Sequence, residues 1–231
     1  MNHRWIERLF HTLDPHYRPR HEIYNRLLSE NLTKESVWID IGCGRNESVA
    51  ELGNKAKTAI GVDRLIDSSG AKAPFIQADL RNIPLPSSYA HLITLRMVVE
   101  HLERIPEDFS EIDRLLKPGG RVIILTTNRR SPLIALPRIL PFGIKHWLLQ
   151  KMFGVPGEDI FPTYHRFNTQ EQMTHGVGSL KLTHLEFIEQ LPLSHPWLTL
   201  IFWNWYFITK VRPFRSLKSN ILAIFEKEVA T

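Results

Sequence analysis

Apolar residues fall at helical spacing in two early stretches. Trp5, Ile6, Leu9, Phe10 and Leu13 form the first, and Ile23, Tyr24, Leu27 and Leu28 the second, with Pro15 and Pro19 breaking the chain between them. From Val37 the pattern becomes V-W-I-D-I, then glycines, then a helical stretch over Glu47 to Leu52, the signature of strand, tight turn and helix. Short apolar runs at Thr58 to Val62, Phe75 to Ala78, His91 to Leu95 and Arg121 to Thr126 predict further strands, with Pro106 to Leu116 the clearest helix between them. This alternation predicts an α/β fold: a doubly wound, Rossmann-like, mostly parallel sheet with helices on both faces. Gly119-Gly120, after Lys117-Pro118, is expected to stop the helix and turn the chain into the last of these strands.

Past Asn128 the texture changes. Ser131 to Phe153 is rich in Leu, Ile and Pro and leads into G-V-P-G-E-D-I-F-P-T-Y, an expected cover over the sheet edge. Leu180 to Glu189 and Asn220 to Phe225 are expected to close the sheet as a pair with an antiparallel final strand, separated by the aromatic stretch Trp197 to Phe207. Residues 1–231 are read as a single domain: amino-terminal helices over 1–36, a core over 37–127, and acceptor-side or membrane-facing insertions over 128–179 and 190–219.

Composition narrows the function classes. Of 231 residues, 43% are hydrophobic and 23% charged, which fits a packed globular domain. One cysteine, Cys43, excludes an internal disulfide and a cysteine-based metal cluster and makes the cytoplasm the default expectation. The first ten residues lack the continuous apolar core of a secretory signal. His11, His16, His21, His175 and His184 have no metal-ligand spacing, so no metal is expected. A formal charge of +5 favours anionic partners without choosing among nucleic acid, acidic lipid and phosphorylated substrate.

The sharpest chemical signal is Asp40-Ile41-Gly42-Cys43-Gly44-Arg45-Asn46, where an acid closes a buried strand and two glycines turn the chain into a helix. Glycine lets a backbone approach a ligand closely, and the next helix start offers unpaired N–H groups. The dinucleotide fingerprint would need a third glycine that is absent here. Asp63 ends the next strand, about twenty residues on, where a carboxylate can accept both hydrogens of a ribose diol. Asp79 ends the strand after it. Each acid alone also suits a helix cap or turn, but three at successive strand ends line one crevice.

In this order and spacing, W-I-D-I-G-C-G-R-N, G-V-D-R, Q-A-D-L, I-P-L-P-S-S-Y-A-H-L-I-T, V-V-E-H-L and L-L-K-P-G-G-R-V-I-I resemble the class I S-adenosylmethionine (SAM)-dependent methyltransferases over Val37 to Thr127. The resemblance implies SAM as cofactor. Asp40, Gly42 and Gly44 would flank its methionine part, Asp63 would hold its ribose hydroxyls, and Asp79 and Leu80 would meet its adenine, with Cys43, Asn46 and Arg64 also counted among the cofactor-binding residues. Asn46 replaces the family's usual third glycine and tolerates a left-handed backbone, while His91 stands where an acid is usual. Cys43 sits where the family wants a small residue, which favours packing over nucleophilic chemistry. Glu100 and His101 fall where an E-H pair often follows the fourth strand.

Methyl transfer needs an aligned acceptor and, for a hydroxyl, a base. The candidates are Tyr164, His165 and Arg166, in a segment similar to the Y-x-R-x-N-T stretch of some family members, and His101. His165 titrates near neutrality and Arg166 can hold an anionic group, although a satisfied cover loop explains both as well. Thr94-Leu95-Arg96-Met97 stands in place of the N/D-P-P-Y motif of many amino-group enzymes, and no second cysteine exists for base C5 chemistry. The expected acceptor is therefore a hydroxyl or carbon of a small, glycan or lipid-like molecule. RNA methylation and a non-catalytic SAM-fold binding protein remain as rival readings. The runs over 133–153 and 196–212, apolar with Arg138, Lys145, Lys210 and Arg212, are expected either to meet the inner membrane face as a peripheral contact, with Trp203 and Trp205 as anchors, or to pack as a lid or dimer interface.

Overall fold

The computed structural model describes residues 9–10, 12–64, 73–135, 162–191 and 196–229. Helix α1 (Arg20–Asn31) precedes strand β1 (Val37–Ile41), helix α2 (Glu47–Leu52), β2 (Thr58–Asp63) and β3 (Phe75–Gln77). Strand β4 (Ala90–Arg96), helix α3 (Ile105–Leu115) and β5 (Leu116–Thr127) complete the parallel part. A short helix α4 (Gln170–Thr174) leads to β6 (Leu180–Ile188), helix α5 (Pro196–Lys210) and β7 (Asn220–Lys227).

The seven strands run in the order β3-β2-β1-β4-β5-β7-β6. Contacts from β3 through β5 are parallel, and β7 lies antiparallel between β5 and β6. The chain moves outward from β1 to β3, then returns to place β4 on the other side of β1. Such a reversal leaves a crevice at the carboxyl ends of the two strands.

Strand alternation sorts the core into two layers. Trp38, Leu92, Ile123, Leu125 and Leu222 face one way and pack with Tyr24 and Leu28 of α1. Ile39, Ile41, Ile93, Leu95, Val122, Ile124 and Phe225 face the other and pack with Phe109, Ile112 and Leu115 of α3. Burial on both faces explains why β1 and β4 read as nearly continuous apolar runs.

Two expectations need adjustment. Helix α3 stops at Leu115, before the glycines, and β5 begins at once because buried Leu116 pairs with Ala90; Lys117 to Gly120 form an irregularity inside the strand. The aromatic stretch is the helix α5, and it does not face outward as a whole. Trp203 and Tyr206 are buried against Phe10, Tyr17 and Leu191, so Trp203 is no surface anchor. An amino-terminal helix is present at residues 9–10 and 12–13, whereas Trp5, Ile6, His11 and nearly all of the 133–153 run, with Arg138 and Lys145, lie outside the described residues. Among the described residues no helix is long and apolar enough to cross a membrane.

Candidate cofactor crevice and its acceptor side

Asp40 sits near the end of β1, almost fully buried. The Thr94 hydroxyl donates to Asp40 Oδ1 at 2.6 Å, and the Trp38 indole Nε1 donates to Thr94 Oγ1 at 2.8 Å. Burial pushes the Asp40 carboxyl up to about 6, with the Thr94 bond and the charge of Arg96 pulling the other way.

The turn that follows alternates its handedness. Gly42, Gly44 and Asn46 have φ of 68°, 56° and 59°, and the Gly42 and Cys43 amides both donate to the Val62 carbonyl at 2.7 and 3.2 Å. A Cβ on Gly42 would come within 2.2 Å of Val98 Cγ2, which makes glycine obligatory there, whereas one on Gly44 would meet open space. The Gly44 amide donates to Asp63 Oδ2 at 3.0 Å. Asp79 is held in its own turn by the Arg81 amide at 3.0 Å.

These parts surround a crevice of about 480 Å³, within the range of small-molecule sites. Gly42, Gly44, Asp63, Arg64, Asp79 and Leu80 line it. Asp40, Cys43 and Asn46 do not, and their side chains support the turn from behind. The Asn46 amide group donates to the Ala73 and Pro74 carbonyls at 3.3 and 3.1 Å. Cys43 is buried, and burial pushes its thiol up to about 12, which removes it as a nucleophile.

The opposite wall comes from the residues after β4 and from the 162–168 segment. Met97, Val98, His101 and Tyr164 line the crevice. Met97 and Val98 escaped the sequence reading, because apolar residues after a strand carry no chemical signature; the positive φ of Met97, 59°, marks the special turn. The Tyr164 and His165 amides both donate to the Glu100 carbonyl, and His101 Nδ1 lies 2.7 Å from the Pro162 carbonyl oxygen. Behind them, Thr126 Oγ1 donates to the Glu100 carboxylate at 2.7 Å and accepts from Asn168 Nδ2 at 2.6 Å. Burial raises the Glu100 carboxyl.

Of the predicted acceptor residues, Tyr164 and His101 reach the crevice. His165 is buried, in a left-handed backbone conformation, with Nδ1 3.3 Å from the Thr127 hydroxyl at the end of β5. Arg166 is exposed and lies over the Tyr164 ring, 6.0 Å from its centroid.

Comparison with known sequences then bears on the family. A family described as a methyltransferase domain matches residues 9–175, most of the chain. The chain belongs to the class I SAM-dependent methyltransferases. Among curated relatives, this methyltransferase is 30% identical over 102 residues to the ubiquinone/menaquinone biosynthesis C-methyltransferase UbiE of Cupriavidus pinatubonensis, a match covering 44% of the chain and 42% of the relative. The Cupriavidus metallidurans protein of the same name is 28% identical over 128 residues, covering 55% and 50%. The chain thus spans half or less of the length of these relatives.

Solved structures share the fold at low identity. A SAM-dependent methyltransferase from Mesorhizobium loti superposes with a TM-score of 0.57 at 14% identity, covering 88% of this chain and 96% of that one. Geranyl diphosphate C-methyltransferase from Streptomyces coelicolor, solved with S-adenosyl-L-homocysteine (SAH), gives 0.56 at 14%, covering 89% and 78%. The [4+2]-cyclase SpnF gives 0.59 at 14%, covering 90% and 80%, so the same fold serves more than one chemistry.

The crevice fits the family's cofactor, SAM. It offers a carboxylate at the end of β2, an open glycine at the end of β1, and apolar walls including Val62, Ala78 and Leu80. Among the described residues no cluster suited to a metal ion occurs.

Proposed function

We propose that this chain transfers a methyl group from SAM to a hydroxyl or carbon of a small, glycan or lipid-like acceptor, taken up at a membrane surface. The observation that carries the reading is the crevice itself. It faces Asp63 and the open Gly44 on one wall and Tyr164 with His101 on the other, so cofactor and acceptor groups converge on one space.

Bound SAM supplies an electrophilic methyl on a sulfonium, and the protein's task is alignment. Asp63 is positioned for the ribose hydroxyls, Asp79 and Leu80 for the adenine, and Gly42 with Gly44 for the methionine part. Asp40 acts from behind by fixing the end of β1 through Thr94. On the acceptor side, Tyr164 and His101 meet the substrate directly; the His101 imidazole can take a proton from a hydroxyl, and the Tyr164 phenol can hydrogen-bond to the acceptor. His165 and Arg166 belong to the same wall, His165 by holding the end of β5 and Arg166 by presenting a cation beside Tyr164.

Two names in the comparisons favour a hydrophobic acceptor over RNA. UbiE is named a C-methyltransferase of ubiquinone and menaquinone biosynthesis, and a fold neighbour was solved with geranyl diphosphate. The test is incubation with labelled SAM and fractionated lysate. Label entering a lipid or glycan fraction supports the reading; label in RNA supports the rival; no label anywhere, with SAH bound normally, leaves a binding protein.

A further inference from the structure

Exposed apolar side chains are concentrated in one region. Eight large hydrophobic residues are exposed among the described residues, and six stand on two touching segments: Leu9 and Leu13 at the amino-terminal segment, and Phe207, Ile208, Val211 and Phe214 on α5 and the turn after it. The segments meet through Phe10, whose ring centroid lies 5.3 Å from that of Trp203 and 6.4 Å from that of Phe207. Phe207 and Ile208 on α5 and Val211 just after it follow helical spacing and form one exposed stripe, while Trp203 and Tyr206 fill the core behind it. Packing within the chain therefore explains the aromatic residues on the inner side of the helix, while Phe207, Ile208 and Val211 remain exposed to solvent.

Charge narrows what covers that stripe. From Pro192 to Ser219 the sequence has no Asp or Glu, but it has Lys210, Arg212, Arg215 and Lys218. Lys210 is taken by buried Asp14, with Nζ 2.5 Å from Oδ2. Arg212 and Arg215 are exposed beside Val211 and Phe214 and form no salt bridge among the described residues. A twofold contact with a second copy would bring this cationic segment against itself, with no acid in it to compensate. Lipid phosphates supply the missing charge, and an apolar stripe flanked by arginines suits the boundary between headgroups and acyl chains.

We propose that this face docks on an anionic bilayer surface, with Phe207, Ile208, Val211 and Phe214 entering the interface and Arg212 and Arg215 meeting lipid phosphates. The inference rests on the membrane-surface part of the proposed function and not on methyl transfer, so the two fail separately. The experiment is flotation of the full chain with vesicles of phosphatidylglycerol and phosphatidylcholine in equal parts, and with phosphatidylcholine alone. The chain should float with the anionic vesicles at low salt and be released by high salt. Phe207→Ser with Val211→Ser, and separately Arg212→Gln with Arg215→Gln, should each lower the bound fraction about tenfold or more, while calorimetry finds SAH affinity unchanged and so confirms folding. No flotation of the wild type, flotation of either double variant at the wild-type level, or a dimer in solution that Phe207→Ser dissolves would each overturn the proposal, the last by assigning the face to a second copy.

Discussion

The Gly44 amide donates to the Asp63 carboxylate at 3.0 Å, joining the turn after β1 to the end of β2. The two residues are not neighbours in sequence, yet one hydrogen bond fixes the carboxylate at the mouth of the crevice. Asp63→Ala should weaken SAM and SAH binding by about 1.5–3 kcal/mol, roughly tenfold to a hundredfold, through loss of a charge-assisted ribose contact. Isothermal calorimetry reads this directly, and unchanged affinity would remove Asp63 from the site.

The same turn depends on a close approach to Gly61. A Cβ there would lie 2.1 Å from Asn46 Oδ1 and 2.7 Å from Cys43 Sγ. Gly61→Ala is therefore expected to cost about 1–3 kcal/mol in urea unfolding and to weaken SAH binding, because the turn must shift to make room. Asn46→Gly keeps the left-handed backbone and loses two side-chain bonds, a cost of about 1–2 kcal/mol; Asn46→Ala should cost about 1 kcal/mol more for its strained φ.

Asp40 makes stability depend on pH. Its folded pKa, about 6, lies above the ordinary value of 3.8 because burial disfavours the anion. The stability it contributes is complete below the ordinary value and is lost as pH rises through about 6. Asp40→Asn has no such loss. Relative to wild type, the variant should gain on the order of 3 kcal/mol between about pH 4 and pH 8, seen as converging or crossing denaturation midpoints. A constant difference across that range would show that Asp40 does not carry the burden.

On the acceptor wall, His165→Gln and Arg166→Ala should lower turnover while leaving SAM affinity within about twofold, or roughly 0.4 kcal/mol. Once an acceptor is found, steady-state kinetics and calorimetry on the same preparations separate the two effects. Full activity in both variants would reduce the segment to a cover.

Sequence pattern was sufficient where burial is two-sided. The runs at Val37, Thr58 and His91 had to be central strands, and Asp40 and Asp63 at the ends of the first two then fell at one edge of the sheet. It was insufficient where the partner is distant. Nothing local connects Glu100 with Thr126 and Asn168, which meet only when the end of β5 and the 162–168 segment close over the turn after β4. Nor does α5 declare its inner face, since Trp203, Tyr206, Phe207 and Ile208 are all apolar or aromatic and a helix apolar all round has no preferred side. The choice is made by Phe10 and Tyr17, far away in the chain. At Leu116, pairing with Ala90 overrode the stop signal of Gly119-Gly120.

Strand β7 comes last in sequence of the seven strands among the described residues, yet it lies inside the sheet, between β5 and β6. During synthesis β6 emerges with no place to pair, and β5 keeps an unsatisfied edge, until Asn220–Lys227 leaves the ribosome. The nascent protein therefore carries an open β-edge from the completion of β5 to the arrival of β7, a period in which pairing with another chain competes with completion. A ribosome stalled before Asn220 would hold a sheet that lacks its wedge, and the cell's chaperones rather than the finished fold would decide its fate.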